Sequence, residues 1–217
     1  MTYLSCKKTY DMMSSRGDDI VPKDTFKNLN ADKKQRIFDA AVQEFSTCSF
    51  SDASINQIIK TAGIPRGSFY QYFNDKEDLY LYMIEEISNQ KKKLIPERVS
   101  NPDDDFFETF IQKTKDSLEL GKAKPEYTKI GMLMQMDNSE FIAKFRTASI
   151  EKYRKQLKHN KECGLIRQEV NTDIVLDMLF SYTLEEYFKS GFDENEYLKK
   201  VIDAINIIKE GIKINKD

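Results

Sequence analysis

The stretch from Ser54 to Leu79, SINQIIKTAGIPRGSFYQYFNDKEDL, constrains the fold of this chain more than any other. It reads as two short helices joined by a tight turn, with a third helix starting behind them. Ser54 suits an N-cap, because its hydroxyl accepts a backbone N–H bond. Ile55, Ile58, Ile59 and Ala62 recur at helical spacing and give one apolar face. Gly63 stops that helix, since glycine takes the left-handed position after a helix end at little cost. Pro65 opens the next helix, where its missing N–H loses nothing. Phe69 and Phe73 lie four apart and point inward, which leaves Arg66, Ser68, Tyr70 and Gln71 on or near the outer face. Asn74 caps a further helix, with Glu77 three residues on to complete a capping box.

A helix, a short turn containing Gly and a second helix with polar residues outward is the helix-turn-helix plan. In DNA binders of that plan the second helix enters the major groove. The string AGIPRGSFYQYFNDKEDL, Ala62 to Leu79, resembles the DNA-binding signature of TetR-family transcriptional regulators. Ala62, Gly63, Gly67, Tyr70, Tyr72, Phe73, Lys76 and Leu79 carry the resemblance. It extends over Lys33 to Leu79; the remainder agrees in length and helical character, and in the connector Gly164-Leu165-Ile166-Arg167. One position departs from the pattern. The family usually has Gly where this chain has Ser49, which predicts a differently shaped turn between the first two helices.

Bulk charge does not carry the DNA reading. The chain has 217 residues, is 32% charged and has a net charge of −2. Residues 1–93 hold 14 Lys/Arg against 13 Asp/Glu, and residues 94–217 hold 20 against 23. The asymmetry is too weak to act as an electrostatic footprint, so the reading rests on the motif. No apolar run is long enough to cross a membrane and no signal-peptide core is present, which points to the cytoplasm. Cys6, Cys48 and Cys163 are isolated, form no metal-like spacing and suit a reducing compartment.

The rest of the chain reads as helices throughout, so the fold class is all-α. Residues 1–29 fit no strong pattern; they suit a flexible arm, a start-site artefact or a short helix on the body. A helix over about 31–47 buries Ile37, Ala41 and Phe45. Its first turns carry Lys33, Lys34 and Arg36, a solvated run or a phosphate contact. A helix from Asp75 to about Leu94 stops before Pro96, and Lys91, Lys92 and Lys93 complement its C-terminal dipole. Further helices are predicted over 103–120, broken by Gly121 and Pro125, then over 126–136, 139–161, 172–190 and 194–214. Asn171 or Thr172 caps the fourth of these, and Asp193 with Glu196 the fifth. In the last, Leu198, Val201, Ile205, Ile208 and Ile212 step by three and four as a heptad-like seam.

These readings give three domains: an extension over 1–29, a three-helix DNA-binding domain over 30–76 and a helical effector-binding and dimerisation domain over 77–217. Arg66 and Gln71 are the candidate base readers, Tyr70 and Asn56 second candidates, and Gly67 lets the backbone approach closely. Ser54, Ser68, Tyr72 and Lys76, with Lys33, are the candidate phosphate contacts. The resemblance implies a homodimer built on the last two helices, with Leu198, Val201, Ile205, Ile208 and Ile212 at the interface. Intrachain core is the simple alternative for the same residues. It also implies an effector pocket in the aromatic and Met-rich middle of the chain, at Phe106, Phe110, Met132, Met136, Phe141, Phe145 and Tyr153. Core packing accounts for those residues equally well one by one. The function implied is a repressor released from a palindromic, double-stranded operator by a small molecule; a helical regulator or adaptor without an effector is the alternative.

An enzyme is not indicated. His159 is the only histidine and lies in a polar stretch. No phosphate loop, nucleophile elbow or metal-ligand cluster is present, and no cofactor is expected.

Overall fold

The computed structural model describes residues 22–95, 104–190 and 193–213. Most of the N-terminal extension, including Cys6, therefore lies outside the described residues. Within them the chain is all-α; its one extended pairing is an isolated bridge between Ile166 and Lys213. No described helix is long and apolar enough to cross a membrane. The described residues of Tyr3–Pro96 and Leu120–Ser149 form one compact unit, and those of Glu97–Glu119 and Ile150–Asp217 form another. Packing thus groups the chain differently from a cut at residue 76.

The first unit begins with a short helix, α1 (Asp24–Lys27), where the sequence offered only alternatives. It continues with α2 (Ala31–Phe45), α3 (Ile55–Ala62), α4 (Arg66–Tyr72) and α5 (Lys76–Leu94). The same unit contains α7 (Pro125–Met136). Helix α2 is its hub, packing on α3, α5 and α7. It buries Ile37, Phe38, Ala41 and Phe45 on one face, as its spacing predicts. Phe45, Ile58, Phe69, Phe73, Leu79, Met83 and Ile84 are each at most 1% exposed. Burial of one such side chain contributes about 1.5–3 kcal/mol.

Local chemistry sets the boundaries. Asn30 caps α2 and Ser54 caps α3, each accepting the N–H three residues on. Gly63 sits at φ 63°, a left-handed conformation that glycine adopts without a Cβ clash. The cap of α5 is Asp75 rather than Asn74: its carboxylate accepts the Asp78 N–H at 3.0 Å. Asp78, not Glu77, reaches back, accepting the Asn74 N–H at 2.8 Å. Proline stands one step earlier than read, at the N-cap of α4. At Ser49 a side chain shapes the turn: its hydroxyl accepts the Asp52 N–H at 3.2 Å and bonds the Asp52 carboxylate at 2.6 Å.

Helix α6 (Phe106–Ala123) starts later than predicted and runs through Gly121. A Cβ at Gly121 would stand 2.7 Å from the Thr128 hydroxyl, so glycine here admits a neighbour rather than breaking a helix. Helix α8 is Glu140–Glu162.

The second unit takes the early part of α6, the later part of α8, α9 (Thr172–Lys189) and α10 (Glu194–Ile212). Buried Asn160 seats α6, its amide oxygen accepting the Phe106 N–H at 2.9 Å. Asn171 and Asp193 cap α9 and α10, each accepting two N–H groups of the first turn. Val201 and Ile205 are 0% and 1% exposed inside this unit's core, and Leu198, Ile208 and Ile212 pack against it. Within the one chain, Val201 and Ile205 of this seam are core, while Leu198, Ile208 and Ile212 are only half-buried against it. Periodicity identified the face that packs on this core, and its two most buried residues, Val201 and Ile205, are covered by the same chain.

Candidate nucleic-acid interface

Helices α3 and α4 stand against each other across the Gly63-Ile64-Pro65 turn. Helix α3 is gripped at both ends from α2. The Glu44 carboxylate accepts the Ser54 N–H at 2.8 Å, and the Arg36 guanidinium donates to the Ala62 carbonyl at 3.2 Å. Arg36 thus serves a helix end that lacks an internal partner, rather than standing free as one of a basic run.

Helix α4 is divided sharply. Phe69, Tyr72 and Phe73 are buried, while Arg66, Gly67, Tyr70 and Gln71 are exposed and Ser68 is half-buried. Tyr70 is a large aromatic with 43% of its surface open, against 0% for its neighbour Phe69. Chain neighbours and its own helix backbone aside, no atom of the described residues lies within 4 Å of a Cβ built on Gly67, so the space there is open. On α3, Ser54 and Asn56 are exposed, beside Gln57, Lys60 and Thr61.

Two expected phosphate contacts are engaged inside the unit. Tyr72 is 5% exposed, with its ring edge-on to Phe26 at 5.9 Å and under the Lys33 ammonium at 5.4 Å. Lys76 donates to the carbonyls of Ser51 and Ala53 at 3.1 and 2.9 Å, and lies 4.7 Å from the Phe50 ring centre. It braces the loop ahead of α3.

The seven residues read as an effector pocket do not form one group. Phe106, Phe110 and Tyr153 belong to the core of the second unit; Phe141 and Phe145 belong to that of the first. Met132 is half-buried and Met136 is 63% exposed. The Tyr153 ring meets Phe106, Phe110 and Phe180 at 6.3, 5.9 and 5.6 Å, and its buried hydroxyl has no hydrogen-bond partner among the described residues. Burial pushes its pKa up.

Lys23 and Thr25 contact α4 from outside the motif, which motif reading could not find. The Lys23 ammonium donates to the Tyr70 carbonyl at 3.0 Å, and the Thr25 hydroxyl donates to the Gln71 carbonyl. No group of His, Cys, Asp and Glu suited to hold a metal occurs among the described residues.

Residues 37–83 match the model of the family described as bacterial regulatory proteins, tetR family. Over 68 residues the chain is 35% identical to the HTH-type transcriptional regulator YdgC of Bacillus subtilis, covering 31% of this chain and 35% of that protein. The chain thus spans about a third of the length of that curated relative. A TetR family transcriptional regulator from Chloroflexus aurantiacus is similar in structure, with a TM-score of 0.61 at 24% identity over 90% of this chain and 100% of that one. A TetR family transcription regulator from Marinobacter aquaeolei gives 0.55 at 18% identity, over 85% and 97%. These structural likenesses concern the fold: a helix-turn-helix head followed by a helical body.

Proposed function

The chain belongs to the TetR family of bacterial regulatory proteins, and on that premise we propose that it is a homodimeric repressor. It holds a palindromic operator and releases it when a small molecule occupies the helical body. The observation that carries the DNA reading is the split of α4, with Arg66, Tyr70 and Gln71 outward over a fully buried inner face. A helix so divided is suited to enter the major groove. There the Arg66 fork suits guanine and the Gln71 amide suits adenine. Ser54, Ser68 and Lys33 serve the phosphates, and Asn56 lies beside them on α3.

Two further observations support the rest. Ile174, Met178 and Phe188 on α9 are 56%, 52% and 56% exposed, and Ile207 on α10 is 74% exposed. Positions 174, 178 and 188 fall on one helical stripe, an apolar surface that a second subunit covers in this reading. The orphaned Tyr153 hydroxyl in an aromatic cluster suits an apolar effector carrying one polar group, since buried polar atoms are otherwise hydrogen-bonded. Effector binding then acts by population shift, favouring a dimer whose heads no longer match the operator spacing.

Selection of duplexes from a random-sequence pool by the purified chain tests this reading. The expected product is a palindrome with half-sites about one helical turn, or a multiple, apart. No enrichment over an input library would remove the DNA-binding role.

A further inference from the structure

The last four carbonyls of an α-helix have no partner within the helix. In α4 these belong to Phe69, Tyr70, Gln71 and Tyr72. The Phe69 carbonyl accepts the Phe73 N–H at 2.9 Å. The other three are all filled from one distant segment. Tyr70 O accepts from the Lys23 ammonium at 3.0 Å, Gln71 O from the Thr25 hydroxyl, and Tyr72 O from the Lys23 N–H at 3.1 Å. The segment is itself anchored. Phe26 is 2% exposed, and its ring lies 5.9, 5.0 and 4.8 Å from those of Tyr72, Phe73 and Tyr82.

We propose that Lys23 and Thr25 are positioning residues for sequence readout, clamping the C-terminal end of the helix that reads the DNA. This inference rests on the DNA-binding role given above. Helix α4 is only seven residues long, under two turns, and so short a helix has little stability of its own. Its C-terminal turn carries Tyr70 and Gln71, two of the outward side chains. The clamp takes hold of the carbonyls of those same two residues. It therefore sets the rotation and height at which their side chains meet base edges. The Lys23 ammonium also stands where a helix dipole favours a cation. Arg66, at the other end of α4, is not touched by the clamp.

The consequence is uneven. Loss of the clamp relaxes the preference at base pairs read by Tyr70 and Gln71, and leaves the preference set by Arg66 in place. The experiment uses the full chain and the duplex that wild type selects from a random pool, with every single base-pair substitution of that duplex as competitor. The Lys23→Ala/Thr25→Ala double variant is expected to bind the selected duplex roughly tenfold more weakly, the scale of two modest hydrogen bonds. Its discrimination should flatten at some positions and persist at others. Lys23→Arg and Thr25→Ser, which keep the donors, should restore the wild-type profile. An unchanged affinity and profile overturns the clamp. So does a uniform loss across all positions with a lowered melting temperature, which marks a merely structural contact. If wild type enriches no duplex, the DNA-binding role falls instead. The clamp is then judged by amide exchange at residues 70–73, which must accelerate in the double variant.

Discussion

The Asp137 carboxylate accepts both the N–H of Ser51, at 2.7 Å, and its hydroxyl, at 3.1 Å, tying the turn after α7 to the loop ahead of α3. Asp137 is 3% exposed and also accepts the Ser139 N–H at 2.8 Å. Burial alone would raise its pKa, but the bonds from Ser139 and Ser51 outweigh burial and hold it at about 2. A folded-state pKa below the unfolded value means stability that is complete above about pH 4 and lost as pH falls toward 2. The full contribution is roughly 2 kcal/mol. Chemical denaturation at pH 6 and pH 3 should show Asp137→Asn less stable than wild type at pH 6, with the gap narrowing at pH 3. A gap independent of pH would remove the ionised carboxylate from the account.

Arg66→Ala should lose roughly 1–3 kcal/mol of operator affinity and relax one operator position. Competition binding with the selected duplex and its single-base variants measures this. Unchanged affinity and preference would mean that α4 is not placed as described.

Lys76→Ala should act on stability more than on DNA. Its ammonium is spent on the Ser51 and Ala53 carbonyls. Removing a charged donor from such a pair costs on the order of 1–3 kcal/mol, several degrees of melting temperature in a chain of this size. The salt dependence of binding should keep its slope. A slope reduced by about one, without a change in melting, would make Lys76 a phosphate contact after all.

Charge placed on the two faces of the last helices should separate core from interface. Ile205→Lys strands an ammonium in the second unit's core and should unfold it, seen as loss of helical circular dichroism. Met178→Lys and Ile207→Lys lie on exposed ground and should leave the helices intact while shifting sedimentation toward the monomer. A Met178→Lys/Ile207→Lys protein that remains fully dimeric would place the subunit contact elsewhere.

Tyr153→Phe should leave stability unchanged or raise it by about 1 kcal/mol, because it removes a buried hydroxyl that has no partner among the described residues. Thermal melting without effector checks this. A clear loss of stability would show that the hydroxyl is satisfied in the folded protein.

Much of the reading head was legible in the sequence because its signals are local. Ser54, Gly63 and the Phe69/Phe73 pair each act within a turn or two of their own position, and each stands as expected. Tyr72 was not legible. Its burial depends on Phe26, which arrives from forty-six residues away. The bracing role of Lys76 was hidden for a similar reason, since the carbonyls it holds lie in the loop ahead of another helix. At Gly121 composition misled: a glycine inside a helix costs only about 1 kcal/mol, and here it makes room for Thr128. The α10 seam shows a different limit of periodicity. A stripe of Val and Ile declares that something covers it, and is silent on whether that something belongs to the same chain.

The grip of Glu44 and Arg36 on the two ends of α3 has a consequence for descent. The side chains that keep the head in shape are not the ones proposed to meet DNA. The side chains of Asn56, Arg66 and Gln71 take no part in the bonds that Glu44, Arg36, Lys23 and Thr25 make; Thr25 holds Gln71 by its backbone carbonyl alone. A lineage can therefore exchange the first set and acquire a new operator while the second set goes on folding the same scaffold, so that target choice drifts freely and architecture does not.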